Sequence, residues 1–182
     1  MINKDTILCI SVAEYPGSFG ASFHNTAYNM LGLNYVYLPR KVSSSQLEGV
    51  INAMKFLDIK GCSVSMPHKI AVLPYLDELD ISAQKTGAVN TIINDSGRLL
   101  GSNTDFYGQK KLLAGLTDIN DKEVLLIGAG GVARAIAYAI IESHGKLTIA
   151  NRTNLKSERL ALELGAKTIP IEDVIDSKGY LL

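Results

Sequence analysis

Apolar residues run unbroken over Val124-Leu-Leu-Ile127, give way to Gly128-Ala-Gly-Gly131, and return at Val132, Ala135, Ile136, Ala139 and Ile140. The first pattern predicts a buried strand and the last has helical spacing, so the stretch reads as strand, tight turn and helix, with the helix beginning near Gly131. Gly145 is placed to end that helix in the left-handed conformation. A second apolar run, Leu147-Thr-Ile-Ala150, predicts another strand and completes a βαβ unit. Thr153 then stands where an N-cap belongs, ahead of a helix over 154–164.

The first half of the chain repeats the alternation of strand and helix. Ile7 to Val12 predicts a buried strand that enters a turn-rich loop, Ala13 to Ala21. Ser22 is expected to cap the next helix, which carries His24, Asn25 and Tyr28 and ends at Gly32. Asn34 to Leu38 predicts a strand with Tyr35 and Tyr37 on one side. Ser45-Gln-Leu-Glu48 has the form of a capping box, opening a helix whose buried face is expected to be Leu47, Val50, Ile51, Met54 and Leu57. Gly61 to Ser65 is a third strand, so a small parallel α/β sheet is expected ahead of the glycine-rich unit. Thr91 to Asn94 reads as a strand that turns at Asp95-Ser-Gly97, and Asp105 opens a helix to about Leu116.

The glycine turn carries the first chemistry. Gly128-x-Gly130-x-x-Ala133 has the spacing that lets backbone turn sharply, approach a pyrophosphate without a Cβ in the way, and pack the new helix on its strand. The anion would rest on the first-turn N–H groups of that helix. Such turns also occur with no ligand, but the flanking strands supply the context that dinucleotide binding requires. An Asp or Glu normally ends the second strand to bind the ribose hydroxyl of NAD. This chain has Asn151-Arg152-Thr153 there, and a guanidinium matches a 2′-phosphate where a carboxylate would repel it. NADP is therefore favoured over NAD, the alternative being that Arg152 is a solvated loop cation.

Composition narrows the class. In 182 residues, 18 basic side chains balance 18 acidic ones without a block of either sign, so neither a nucleic-acid footprint nor a basic membrane patch is indicated. Cys9 and Cys62 fall inside apolar runs, where reduced core thiols are expected. The three His and two Cys have no zinc spacing, and no metal site is expected. The first residues do not form a secretory signal and no apolar run has the length of a membrane span, so a cytoplasmic protein is the expectation.

Three polar clusters remain. Ser63-Val-Ser-Met-Pro-His-Lys69 lies just past a probable parallel strand, where ligands bind in such sheets. On spacing alone a lone Lys is better read as a solvated charge. Gly87-Ala-Val-Asn-Thr91 and Gly101-Ser-Asn-Thr-Asp105 flank the Thr91 strand, and a first-turn carboxylate such as Asp105 suits any helix.

Together with Ser18-Phe-Gly-Ala-Ser-Phe-His-Asn25, Gly128-Ala-Gly-Gly-Val-Ala-Arg134 and Asn151-Arg-Thr153, these clusters make the chain resemble the shikimate dehydrogenase family, and in particular its shikimate dehydrogenase-like, quinate-shikimate branch. The resemblance runs over essentially the whole chain. It implies a small N-terminal α/β substrate domain, residues 1–104, followed by a partial Rossmann domain binding NADP, residues 105–182. It implies reversible hydride transfer between the cofactor and C3 of 3-dehydroshikimate.

By position, the resemblance assigns Lys69 and Asp105 as the acid–base pair, and Ser18, Gly20, Ser65, Asn90 and Thr104 as substrate-binding positions. It assigns the cofactor to Gly128, Ala129, Gly130, Gly131, Val132 and Ala133 and to Asn151, Arg152 and Thr153. Oxidising an alcohol needs a group that takes the hydroxyl proton, a role within reach of a partly desolvated Lys. The chain departs from the family at Gly20, where a second Ser would grip the substrate carboxylate, at Ser63, which replaces an Asn, and at Ser65, which replaces a Thr. The loss at position 20 implies weaker shikimate binding or room for a bulkier acid such as quinate. His68 occupies a position that is usually aromatic or apolar and is expected to pack.

Family members continue past the point matching Leu182, through an Asn-x-Thr-x-x-Gly-Met loop and a helix that returns to the substrate domain. In the doubly wound strand order the Val124 strand would then keep an uncovered apolar edge, so oligomerisation, an intermolecular complement or low solubility is expected. Two alternatives stay open beside the enzyme: a catalytically silent nucleotide-binding paralogue, and a quinate or shikimate dehydrogenase that uses NAD.

Overall fold

A computed structural model describes residues 2–176. The chain forms two compact units, one ending at Ser102 and the other beginning at Asn103. The last six residues of the expected cofactor domain, 177–182, lie outside the described residues.

The first unit is built from β1 (Ile7–Ala13), α1 (Phe19–Met30), β2 (Tyr35–Lys41), α2 (Leu47–Phe56), β3 (Gly61–Val64), α3 (His68–Ala71), β4 (Glu78–Leu79), α4 (Ile81–Thr86), β5 (Thr91–Asp95) and β6 (Arg98–Ser102). Its six strands lie in the order β2-β1-β3-β5-β6-β4. β2 and β3 both run parallel to β1, but β5 is antiparallel to both β3 and β6, so the sheet is mixed and not parallel throughout. The turn at Ser96 and Gly97, both at positive φ (55° and 91°), folds β6 directly back on β5 as a hairpin.

Alternation sorts the β1 side chains. Ile10 and Val12 point into a core shared with Leu47, Ile51 and Met54 of α2 and with Val64, Ile92 and Leu99. Each such side chain contributes roughly 1.5–3 kcal/mol by leaving water. Leu57 is not part of that face. The helix ends at Phe56, and Leu57 is 67% exposed. The capping box that opens this region is Ser43 with Gln46, whose side-chain oxygen accepts the Ser43 backbone N–H at 3.0 Å, in place of the expected Ser45 with Glu48.

Asp77, just before β4, ties α2 and β6 together. Its carboxylate accepts the Leu99 N–H at 2.7 Å and pairs with Lys55 of α2 at 2.7 Å. The Leu99 N–H first, and then Lys55, hold the carboxyl below its ordinary range. A carboxylate depressed in this way stabilises the fold above its unfolded pKa, and the contribution is lost as pH falls through the folded value. Asp77→Asn is thus expected to lower the melting temperature at neutral pH. The difference from wild type should shrink as the medium is acidified below the ordinary carboxylate range, as thermal melts across pH would show.

The second unit contains α5 (Thr104–Leu116), β7 (Glu123–Ile127), α6 (Gly131–Glu142), β8 (Lys146–Ala150), α7 (Asn154–Leu164) and β9 (Lys167–Ile169). The three strands are parallel in the order β7-β8-β9, with Val124, Leu126, Leu147 and Ile149 packed against Ala137 and Ile140 of α6 and Leu160 of α7. β9 stops at Ile169, where Pro170 offers no N–H to extend the ladder. The end of α6 also differs from expectation. His144, at φ 59°, takes the left-handed position, and Gly145 is needed instead for close packing, since a Cβ there would come within 2.8 Å of Ile140 Cγ2.

Candidate functional site

The first unit gathers Ser65, Lys69 and Asn90 around the carboxyl end of β3. The Ser65 N–H donates to Val12 O at 2.9 Å, and the His68 N–H donates to Ser65 O at 2.8 Å, which turns the chain from β3 into α3. Lys69 is the second residue of α3, and its carbonyl accepts the Val89 N–H at 2.8 Å. One residue on, Asn90 O accepts the Val64 N–H at 2.8 Å while Asn90 N–H reaches Ser102 O at 3.0 Å. Backbone hydrogen bonds therefore lock the three candidate residues to the same strand ends. The Thr91 hydroxyl donates to Asn90 Oδ1 at 2.9 Å, which turns the amide nitrogen of that side chain away from Thr91. Lys69 and Asn90 are half-buried and Ser65 is exposed.

His68 packs, as its position implies, and does more. It is fully buried, and its Nε2 donates to Val42 O at 2.8 Å, pinning the turn before Lys69 to the end of β2. Cys62, beneath the same turn, has its thiol pushed up to about 12, chiefly by burial, so it stays a neutral core group. Cys9 and Cys62 are both free thiols.

Ser18 and Gly20 lie in the opening turn of α1, which begins earlier than expected. Ser18 is its N-cap, and Ser22 lies inside the helix with its N–H bonded to Ser18 O at 3.0 Å. Ser18 is exposed and its hydroxyl makes no capping bond. The helix has no fully buried residue. It is held to the sheet by Asn25, whose amide donates to Tyr37 O at 2.9 Å and accepts the Tyr37 N–H at 2.8 Å, extending the edge of β2 as another strand would. His24 stacks on the Tyr37 ring with centroids 4.4 Å apart.

In the second unit the glycine turn has the geometry that a phosphate requires. Gly128, at φ 125°, is a conformation that a side chain would strain, and a Cβ there would meet the Ala133 Cβ at 3.6 Å, so the first and last small residues of the motif face each other. Around the Cβ position of Gly130 there is open space. The first helical bond of α6 runs from Arg134 N–H to Gly130 O at 2.9 Å, which leaves the N–H groups of Gly131, Val132 and Ala133 without intrahelical acceptors.

The turn is joined to the other cofactor candidates through Gly128 N–H, which donates to Ala150 O at 2.7 Å. Asn151, Arg152 and Thr153 follow at once, with the Asn151 amide folded onto Thr153 O at 2.9 Å and Arg152 exposed. Thr153 is the N-cap of α7, but its hydroxyl makes no capping bond. Below these turns, Arg134 of α6 pairs with Glu163 of α7, and the same carboxylate oxygen accepts the Tyr138 hydroxyl at 3.0 Å. That contact fixes the two motif-bearing helices side by side. Thr104 and Asp105 occupy the first turn of α5, Thr104 exposed and Asp105 half-buried.

The NADP candidates thus fit a phosphate-bearing nucleotide: a cradle free of Cβ atoms, unpaired first-turn amides, and an exposed guanidinium one strand away. No group of three or more His, Cys, Asp or Glu among the described residues is arranged to hold a metal ion. Among the same residues no helix is long and apolar enough to cross a membrane.

Comparison with known proteins agrees with both units. The shikimate dehydrogenase substrate binding domain matches residues 16–92, and the shikimate / quinate 5-dehydrogenase family matches residues 110–181. A shikimate dehydrogenase (NADP(+)) of Carboxydothermus hydrogenoformans is 40% identical, over 93% of this chain and 66% of its own length. A shikimate dehydrogenase-like protein of Haemophilus influenzae is also 40% identical, over 91% of this chain and 60% of its own. The crystal structure of shikimate dehydrogenase from Aquifex aeolicus superposes with a TM-score of 0.88 at 34% identity, covering 97% of this chain and 67% of that one. The chain spans between half and two-thirds of the length of the curated relatives it matches. With two family matches in chain order and a fold shared at this level of identity, the chain belongs to the shikimate dehydrogenase family.

Proposed function

We propose that this chain carries the substrate and cofactor machinery of an NADP-dependent oxidoreductase that interconverts shikimate, or a related cyclic polyol acid, with its 3-keto form. The observation that carries the reading is the junction of glycine turn and basic turn. Gly128 N–H bonded to Ala150 O puts the unpaired amides of α6 beside Arg152, which matches a pyrophosphate followed by a 2′-phosphate. The names of the relatives, shikimate dehydrogenase (NADP(+)), support the same assignment.

When bound, the nicotinamide supplies the hydride acceptor. What the chain supplies is proton handling and orientation. Lys69, held by its carbonyl and by the anchored ring of His68, takes the hydroxyl proton as the alcohol is oxidised and returns it in reduction. Asp105 is assigned with it by the family resemblance. Asn90 and Asp105 bind ring hydroxyls, Ser65 and Thr104 are further substrate-binding positions, and Ser18 binds the acid.

The test is NADPH formation from shikimate, and then from quinate, followed by absorbance. Turnover with NADP in preference to NAD is expected. Tight NADP binding without turnover would instead support the catalytically silent paralogue. We place the protein in the cytoplasm, with NADP and its substrate acid as its small-molecule partners.

The same reading extends to assembly. Among the described residues β7 pairs on one side only, with β8, and the sequence of that strand is apolar. Strand pairing between copies at this edge is expected to make the apparent mass rise with concentration in light scattering. A constant monomer mass would refute it.

A further inference from the structure

Helix α1 inverts the usual arrangement of an amphipathic helix, in which the apolar stripe faces the core. The side chains it turns to the sheet are polar or aromatic: the Asn25 amide bonded to the Tyr37 backbone, His24 stacked on the Tyr37 ring, and Tyr28 with its ring 5.2 Å from that of Tyr35. The apolar stripe points away. Phe19, Phe23, Ala27 and Met30 recur at helical spacing and, with Ser22 and Thr26, line an open groove. Phe19 is 83% exposed, Phe23 60% and Met30 82%, and the two Phe rings stack on each other at 6.3 Å. Leu31, just past the helix, is 70% exposed.

Charge, shape and area all point to a second copy of this chain as the occupant. Between Glu14 and Arg40 the sequence contains no Asp, Glu, Lys or Arg, although these make up 20% of the chain. Depletion of charge beside exposed Phe and Met is the composition of an interface core. It also suits a surface that meets itself, where any charge near the symmetry axis would face its own copy. The stripe is its own complement in shape. Its large and small residues are disposed symmetrically about a point between His24 and Asn25, so an antiparallel copy sets Phe19 against Met30, and Phe23 into the dent left by Thr26 and Ala27. A Phe side chain brings roughly 150–250 Å². With Met30 and Leu31 of similar size, one copy offers on the order of 500 Å² of apolar surface. The pair then buries about 1,000 Å², the area that a specific association needs.

We propose that the outer face of α1 is a homodimer interface, two copies packing this helix antiparallel about a two-fold axis level with His24 and Asn25. The contact closes at two copies and is separate from strand pairing at the β7 edge, which uses a different unit of the chain. Each protomer contributes Phe23 to the centre of the seam and Phe19 and Met30 to its ends.

The test is sedimentation equilibrium of the full chain over a range of concentrations. Wild type is expected to be a dimer. Phe23→Glu and Phe23→Lys should each raise the dimer dissociation constant by at least about 30-fold, the loss expected of a central aromatic anchor, and an equimolar mixture of the two should recover the dimer. Phe19→Glu and Met30→Lys probe the register: each weakens the dimer alone, and the two recover it when mixed. Both positions are almost fully exposed, so these substitutions leave the packing of the protomer intact. Leu162→Glu, at a position 87% exposed on α7, should change nothing. A wild type that stays monomeric would overturn the proposal, and so would a dimer that survives all four α1 substitutions, since the contact would then lie elsewhere. Variants that do not recover the dimer in either mixture would overturn it as well, because two-fold pairing requires that rescue. Equal loss in Leu162→Glu would make the association non-specific and overturn it too.

Discussion

Lys69→Ala is expected to lower the turnover of shikimate with NADP by about 10²–10⁴-fold, the range for loss of a positioned general acid or base, while NADP affinity is unchanged. The split follows from where the residue sits. Lys69 belongs to the first unit, in a short helix fixed by the Val89 N–H bond to its carbonyl and by the His68 ring on Val42 O, whereas the glycine turn and Arg152 belong to the second. The backbone bonds that hold position 69 do not involve its amine, so alanine removes the proton acceptor and leaves the turn intact. Initial rates at saturating NADP, with NADP binding measured in parallel, decide the matter. Turnover retained in Lys69→Ala would exclude it as the base, and a parallel collapse of NADP binding would mean that the substitution had damaged the fold.

The second large effect belongs to the cofactor. Arg152→Asp should weaken NADP binding by roughly 10- to 150-fold, the equivalent of one hydrogen bond to a charged group. It should leave NAD no weaker, because a carboxylate at this point of the fold can accept a ribose hydroxyl. Arg152 is exposed in the turn between β8 and α7, so the substitution has no packing consequence that would obscure the result. Calorimetric titration of wild type and variant with both nucleotides measures the change in preference directly. If wild type binds NAD and NADP equally, Arg152 does not read the 2′-phosphate.

These two candidates were reached from the sequence for different reasons. The segment from Val124 to Ala150 is a local unit whose strand, turn and helix follow from the spacing of apolar and small residues, and β7, α6 and β8 lie where that spacing puts them. Lys69 became a candidate only through resemblance, since a single Lys after a strand carries no pattern of its own. The order and direction of the strands in the first unit were not legible. Asp95-Ser-Gly97 signalled a turn, but that β5 lies antiparallel beside β3 depends on residues far apart in the chain. At α1 two serines compete for the N-cap, and Ser18 takes it, leaving Ser22 inside the helix with its N–H bonded to Ser18 O. At the end of α6 a glycine was the natural choice for positive φ, yet close approach to Ile140 claims Gly145 and leaves His144 to turn the chain.

The attachment of α1 has a consequence for motion. A helix with no fully interred side chain, secured mainly through one carboxamide and a ring stack, should unlatch at a free energy well below that of global unfolding. Its amide protons would then trade with deuterium sooner than those of α2, whose Leu47, Ile51 and Met54 are sealed in the core.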